Sequence, residues 1–312
     1  MDHRTTRRAL LQRGATSGVV AAGAGALLLP QTGTASARDA QTPASVRALA
    51  SQSSKIEEVL SRGHLIVGTG SQNPPWHFED AKGNLVGMDI AMGYILANGL
   101  FATDFTTPQN RVQFVTQQAD ARIPNVLSNK VDIVIQFMTV SANRAQKVAF
   151  TIPYYVEATN MIFKANSPYT NTQSLVGKHV TIAGLQNVDL ITTIHSQVPD
   201  ARILGVPSAA EVVLAVDSGR AQAGFVDLST SRYLSKLFPN RYRASSTPFG
   251  PQSYSAAMQP TDQIWINFVN QVFHEAITGN RWQLYAAAFK EWFGGTLREP
   301  TSGFPAEYGP RI

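Results

Sequence analysis

Apolar positions in this chain fall into short runs separated by stretches with helical spacing. His64-Leu65-Ile66-Val67-Gly68 is nearly continuous in apolar character, the pattern of a buried strand. A short helix around Ile56–Leu60 precedes it and ends at Arg62-Gly63. Trp76-His77-Phe78 and Leu85-Val86-Gly87 flank the turn cluster Asp80-Ala81-Lys82-Gly83-Asn84, which predicts a hairpin. Met88 to Phe101 reads as a helix. Beyond it, β-branched runs at Arg111–Val115, Val131–Ile135, Val180–Ala183, Arg202–Leu204 and Ala223–Val226 alternate with helical stretches. That order predicts an α/β fold with largely parallel sheets.

One arrangement occurs twice. A helix over Ile123–Lys130 feeds the strand Val131–Ile135, and Gln136-Phe137-Met138-Thr139 follow; a helix over Ala209–Arg220 feeds the strand through Val226, and Asp227 follows. Ligands of open α/β sheets sit beyond the carboxyl ends of strands. Two such ends facing each other predict a cleft between two lobes, walled by Gln136–Thr139 and by Asp227.

The amino-terminal region follows another pattern. Residues 1–37 have a basic start, an apolar run from Gly18 to Leu29 and Ala35-Ser36-Ala37, the layout of an export signal. Arg7-Arg8 ahead of Ala9-Leu10-Leu11 resembles a twin-arginine signal. The apolar run is shorter than the ~20 residues of a spanning helix. Residues 38–53 read as a flexible polar leader.

Composition then narrows the class. The chain has 26 basic and 21 acidic residues, a net +5, but Arg4, Arg7, Arg8 and Arg13 stand against only Asp2 before residue 38, leaving 22 against 20 afterwards. Such balance argues against a nucleic-acid-binding surface. The absence of cysteine from the 312 residues excludes disulfides and a lipoprotein acylation site. The six histidines show no metal-ligand spacing, and there is neither a Gly-x-Ser-x-Gly elbow nor a phosphate-cradling loop. No cofactor and no metal are expected.

From Ile56 to Gly294 a series of landmarks resembles the polar amino-acid-binding family of periplasmic solute-binding proteins that serve ABC importers. They are Arg62 to Gly68, Pro74-Pro75-Trp76, Leu85 to Ile90, Arg122-Ile123-Pro124, Asn129-Lys130-Val131-Asp132, Arg144, Phe150-Thr151, Pro153-Tyr154-Tyr155, Leu175 to Lys178, Gly219-Arg220 with Asp227, and Glu291-Trp292-Phe293-Gly294. The resemblance implies a two-lobed type II periplasmic-binding-protein fold with the ligand cleft between the lobes. Lobe 1 is placed at 54–157 and 251–312, lobe 2 at 158–250, with crossovers near Glu157 and Gly250. It implies a monomer outside the cytoplasm, not lipid-anchored, that hands an amino acid to a membrane ABC permease.

Site residues follow from both arguments. Ser141 looks like a helix N-cap, which sets the Arg144 guanidinium in a first helical turn, where an anion would relieve the unfavourable dipole. In the family the matching arginine holds the ligand α-carboxylate. Asp227 serves equally well as a helix cap on the residues alone; the resemblance pairs it with the ligand α-ammonium. Thr139 adds a hydroxyl. Trp76, Asn73, Gln136 and Phe137 stand where relatives shape the side-chain pocket, and Asn187 replaces part of the usual Gly-Ser/Thr-Thr. Arg122 matches the glutamate/aspartate-binding branch, where it meets a side-chain carboxylate, although Gly70 stands where that branch has a second arginine. A structural arginine is the alternative. An acidic or amide amino acid is the expected ligand. His77 and Glu79 share one strand face and are expected on an exposed polar surface. The rival function is an exported cyclohexadienyl-type dehydratase, which would need a poised acid or base beside its substrate.

Overall fold

The computed structural model describes residues 54–101, 109–187 and 189–300. The expected export signal at 1–37, with Arg7-Arg8, and the leader at 38–53 lie outside the described residues.

The chain opens with α1 (Lys55–Arg62) and β1 (Leu65–Thr69), then β2 (Gln72–Asn73), β3 (His77–Glu79), β4 (Leu85–Val86), α2 (Met88–Phe101) and β5 (Val112–Thr116). The strands β2, β3 and β4 form a small antiparallel sheet, so the hairpin around Asp80–Asn84 stands where the turn cluster places it. Gly87 closes this unit at φ +125°, and a Cβ there would lie 2.2 Å from the Trp76 carbonyl oxygen. That close approach lets the Met88 and Asp89 N–H groups donate to the Pro75 and Trp76 carbonyls at 3.0 and 2.9 Å.

Next come α3 (Arg122–Leu127), β6 (Ile133–Thr139), the single turn α4 (Ala142–Ala145), β7 (Ala149–Phe150) and the ten-residue β8 (Tyr155–Lys164). Two expected boundaries move. The helix expected to reach Lys130 stops at Leu127, and Asn129 has φ +58°. The strand expected to end at Ile135 runs to Thr139, because Met138 and Thr139 pair with Ser255 and Tyr254.

The second lobe holds β9 (Thr181–Leu185), α5 (Leu190–Gln197), β10 (Arg202–Val206), α6 (Ala209–Asp217), β11 (Ala223–Asp227), α7 (Leu228–Leu237) and β12 (Tyr242–Ala244). The helix read to Arg220 ends at Asp217. The ten-residue β13 (Phe249–Met258) returns to the first lobe, which α8 (Gln263–Thr278) and α9 (Trp282–Phe293) complete.

The large sheet has the order β10-β9-β11-β8-β13-β6-β1-β5. At one end β1 lies parallel between β5 and β6; at the other β9 lies parallel between β10 and β11. Between them β8 and β13 form an antiparallel ribbon from Tyr155 opposite Tyr254 to Thr159 opposite Phe249, with Glu157 opposite Gln252. This ribbon joins two α/β lobes.

Each lobe buries apolar side chains on both sheet faces, as the near-continuous runs require. On β6, Ile133 and Ile135 join Leu65, Val67, Leu96, Val269 and Phe273, while Val134 joins Val126, Val131 and Met138 on the opposite face. In lobe 2, Ile182 and Phe163 pack with Leu190 and Ile194, while Ile162 and Ala183 pack with Val212 and Ala215.

Candidate functional site

A cavity of about 450 Å³ opens between the lobes. Asn73, Arg122, Phe137, Thr139 and Arg144 line it from lobe 1, Asn187, Asp189 and Asp227 from lobe 2, and Thr159, Gln252 and Tyr254 from the connecting ribbon. A smaller cavity of about 210 Å³ adjoins it and shares Asn73, Phe137, Leu185 and Ala209 as walls.

Both arginines end in the larger cavity. Arg144 is 6% exposed; its Nη1 donates to the Thr139 carbonyl at 2.8 Å, and its Nη2 stands 3.4 Å from Asp189 Oδ2 across the cleft. The dipole argument for this arginine needs correction. Ser141 occupies the N-cap position, but its hydroxyl makes no cap bond and is buried without a partner, and α4 is a single turn with Arg144 near its end. What aims the guanidinium is the Thr139 carbonyl at the end of β6, not a helix N-terminus.

Arg122 is 4% exposed, donates through Nε to the Ala119 carbonyl at 2.7 Å and through Nη1 to the Gln136 carbonyl at 3.2 Å, and lies 5.7 Å from the centre of the Phe137 ring. Burial, then the nearby Arg144 charge, push its pKa down to about 9. The structural role considered for Arg122 is visible in these bonds, and so is a place on the cavity wall. Burial also lowers the pKa of Arg144, while Asp189 opposes the shift.

Asp227 ends β11 and stands at the N-cap position of α7, yet its side chain accepts no cap bond. It faces the Tyr254 hydroxyl instead. Burial raises its pKa to about 6, helped by the charge of Asp89 and opposed by the Tyr254 hydrogen bond and Arg122. Capping of α7 is done from the ribbon: Glu157 accepts from the Ser229 N–H at 3.4 Å and from the Ser229 hydroxyl. Burial and Asp227 raise the Glu157 pKa to about 8. Asp227 is thereby left to face the cavity.

The remaining expected residues divide. Thr139 lines the cavity, although its hydroxyl donates to Gln252 Oε1 at 2.6 Å. Asn187 also lines it but is spent on its own turn, donating to the Leu185 carbonyl at 2.8 Å and accepting from the Asp189 N–H at 2.9 Å. Asn73 and Phe137 lie on the wall shared by the two cavities, and Gln136 lines the smaller one. Trp76 lines neither. It is fully buried, packed edge-on against Tyr155, Tyr254 and Phe293, with Nε1 donating to the Ser229 hydroxyl at 2.8 Å. Its indole is too large and too well surrounded at the lobe junction to reach a ligand. His77 is 2% exposed, because Asp89 draws its ring inward at 2.8 Å, so the exposed-face reading is overturned for His77, while Glu79 is exposed as expected.

Asp189, Tyr254 and the His77–Asp89 pair escaped the sequence reading. Asp89 does stand within the Leu85–Ile90 landmark, where an acidic residue opening an apolar helix is a usable signal. Asp189 and Tyr254 sit in no motif. Among the described residues no group of three or more His, Asp or Glu side chains is placed to hold a metal ion, and no helix is long and apolar enough to cross a membrane.

The lysine/arginine/ornithine-binding periplasmic protein of Escherichia coli (strain K12) is 31% identical over 117 residues, 37% of this chain and 42% of that protein. The glutamine-binding protein of Geobacillus stearothermophilus is 25% identical over 206 residues, 64% of this chain and 74% of that protein. Among solved structures, the ancestral amino acid-binding protein AncCDT-1, a precursor of cyclohexadienyl dehydratase, superposes with a TM-score of 0.68 at 26% identity, covering 77% of this chain and 100% of that one. The sequence profile of one family matches residues 65–295. The chain belongs to the bacterial extracellular solute-binding proteins, family 3.

Proposed function

We propose that this protein captures one free α-amino acid with an acidic or amide side chain and delivers it to a membrane ABC permease. The observation that carries the reading is the disposition of charge in the cavity: the Arg144 guanidinium on the lobe 1 wall and the Asp227 carboxylate, free of capping duty, on the lobe 2 wall. Opposite charges on opposed walls suit a zwitterion. The ligand α-carboxylate replaces Asp189 at Arg144, and the α-ammonium pairs with Asp227. Thr139, Asn73, Phe137, Gln136 and Asn187 complete the surroundings, and Arg122 meets the polar end of the side chain. The relatives named for glutamine and for lysine, arginine and ornithine support an amino-acid ligand.

Closure follows from differential affinity: a ligand touching both walls stabilises the form in which they meet and shifts the population toward it. The lobe boundaries belong to this reading, with crossovers at Glu157 and Gly250, as do a monomeric state and export by the route that Arg7-Arg8 suggests. The dehydratase alternative needs an acid or base facing its substrate. Glu157 has the raised pKa for an acid, but Ser229 and the helix end hold it outside the cavity lining, and Asp227, the carboxyl with a raised pKa that does face the cavity, is taken by the α-ammonium in this reading.

Calorimetric titration with a panel of amino acids tests the assignment. Arg144→Ala and Asp227→Ala should each cost about 2–5 kcal/mol of affinity, the usual loss when one partner of a buried charged contact is removed. Wild-type affinity in both variants would refute it.

A further inference from the structure

The smaller cavity is bordered by Gly70, Asn73, His77, Gln117, Gln136 and Phe137. Its chemistry is set by a carboxylate behind it. Asp89, fully buried, accepts from the Tyr154 hydroxyl at 2.7 Å through Oδ1 and from the Phe137 N–H at 2.9 Å through Oδ2, and its Oδ2 also faces His77 Nδ1 at 2.8 Å. A backbone N–H can only donate, so the arrangement is satisfied by a carboxylate receiving three donors, one of them the Nδ1–H of His77. That fixes the tautomer and leaves His77 Nε2 a bare acceptor. Burial lowers the His77 pKa, which keeps the ring neutral. The ring is further held in a stack on Phe137, with centroids 4.7 Å apart and planes 18° apart.

Next to this acceptor stands a donor. Gln136 Oε1 accepts from Gln117 Nε2 at 3.1 Å, and Gln136 Nε2 donates to the Gln117 carbonyl at 3.2 Å, which spends one of its two hydrogens. Gln117 Oε1 in turn accepts from Asn125 Nδ2 at 2.6 Å, so the amide orientations are fixed along the chain of bonds. Gly70 keeps the pair open: a Cβ there would lie 2.6 Å from His77 Nε2 and 3.1 Å from Gln136 Nε2. The same space cannot hold an arginine at position 70 to meet a carboxylate. On the shared wall Asn73, 3% exposed, has its Nδ2 buried with no hydrogen-bond partner, a further donor.

We infer that this smaller cavity is the side-chain subsite and selects a primary carboxamide over a carboxylate, with His77 Nε2 as the deciding acceptor. The carboxamide NH2 donates to His77 Nε2, and its carbonyl accepts from Gln136 Nε2. A carboxylate brings no hydrogen to His77 and would set an oxygen lone pair against a nitrogen lone pair. On this inference His77 and Gln136, and not Arg122, meet the polar end of the side chain: the Arg122 Nη1 and Nε are bonded to main-chain carbonyls and the residue lines only the larger cavity. The inference rests on the reading of Arg144 and Asp227 as the zwitterion clamp.

Calorimetric titrations of the purified protein near pH 7.5 with glutamine, asparagine, glutamate and aspartate test it. An amide ligand should bind at least tenfold more tightly than its acid counterpart. His77→Phe, which keeps the stack on Phe137 but removes the acceptor, should weaken the amide tenfold or more and the acid less than threefold. Should that variant not fold, Gly70→Ala provides the second arm, since its Cβ would lie 2.6 Å from Nε2 and force the imidazole out of the subsite, which should also lower amide affinity tenfold. Equal or tighter binding of the acid by the wild-type protein overturns the subsite, as does an equal loss for both ligands in the variant that folds. Failure of every α-amino acid to bind overturns the clamp itself, and the subsite with it.

Discussion

The two walls of the cleft are built differently. On the lobe 1 side Arg122, Phe137, His77 and Asp89 are all less than a tenth exposed and linked to one another or to main-chain carbonyls. On the lobe 2 side the Asp189 side chain is 32% exposed and, among the described residues, meets only Arg144 among side chains, while Asn187 bonds within its own turn. Asp227 relies on Tyr254, which belongs to the ribbon and not to lobe 2. A wall already fixed by its own bonds loses little side-chain freedom when a ligand arrives, whereas loosely held groups lose more. In the proposed function lobe 1 therefore serves as the template, and lobe 2 supplies charge that closes over it.

Removing an aspartate from each wall should expose this difference most strongly. Asp89→Ala leaves the His77 Nδ1–H, the Tyr154 hydroxyl and the Phe137 N–H without their acceptor in a buried site. The expected loss is about 3–5 kcal/mol of unfolding free energy. Asp189→Ala removes one partly exposed ion pair and should cost less than about 1 kcal/mol. Urea denaturation monitored by circular dichroism measures both. Similar losses for the two variants would mean that the walls are equally consolidated.

The same contrast explains what could be read from the sequence. The parallel strands of both lobes were legible because burial on two faces makes their sequences almost uniformly apolar, as in Leu65–Gly68 and Ile133–Ile135. The two ten-residue ribbon strands were not. Tyr155–Lys164 mixes Glu157, Thr159 and Asn160 with apolar residues because it passes from one core to the other along the cleft floor. The places of Arg144, on the helical turn after β6, and of Asp227, at the end of β11, on opposed cavity walls were legible, although a carbonyl rather than a helix end aims the first. Trp76 stands in the core, where a tryptophan beside a strand more often lies, and its family position rather than any local pattern had pointed to the pocket. His77 was misplaced because period two cannot reveal that a carboxylate twelve residues onward turns an imidazole inward. Asp189 went unread since an ion pair across the cleft joins residues with no shared local pattern.

Acidification should sharpen the comparison, since the proposed clamp has an arginine on the lobe 1 wall and a titrating carboxylate on the lobe 2 wall. The Asp227 pKa stands at about 6 in the unliganded protein, and the groups facing it are Tyr254, Arg122, Asp89 and Glu157. An α-ammonium pairs with the ionised form. Lowering the pH through 6 protonates Asp227, so affinity should be flat above about pH 7 and fall about tenfold between pH 7 and pH 5, one decade per unit well below the pKa. Calorimetric titration across that range reads the slope. Asp227→Asn should bind weakly with a flatter profile, and an unchanged slope in that variant would assign the titration elsewhere.

The smallest expected effect bears on the weakest element of the lobe 2 wall. Asp189 Oδ2 lies 3.4 Å from Arg144 Nη2, at the guanidinium that the clamp assigns to the ligand carboxylate. If the proposed clamp holds, an internal carboxylate there competes with the ligand for the same donors, and binding has to displace it. Asp189→Asn keeps the size of the side chain and removes its charge, so Arg144 waits without an ionic partner. The pair is partly solvated, which limits its worth to at most about 1 kcal/mol and the gain in ligand affinity to about fivefold. The opposite sign is equally informative. If Asp189 served to hold the lobes together over a bound ligand, its loss would weaken binding by a similar factor, because the closed form would lose a contact and the open form none. Calorimetry at low and high salt distinguishes the two, since a competing ion pair is screened and the advantage of Asp189→Asn over wild type should shrink as salt rises. Tighter binding that fades with salt identifies Asp189 as a displaceable stand-in for the ligand; weaker binding makes it part of the closed clamp and brings lobe 2 nearer to lobe 1 in its degree of organisation.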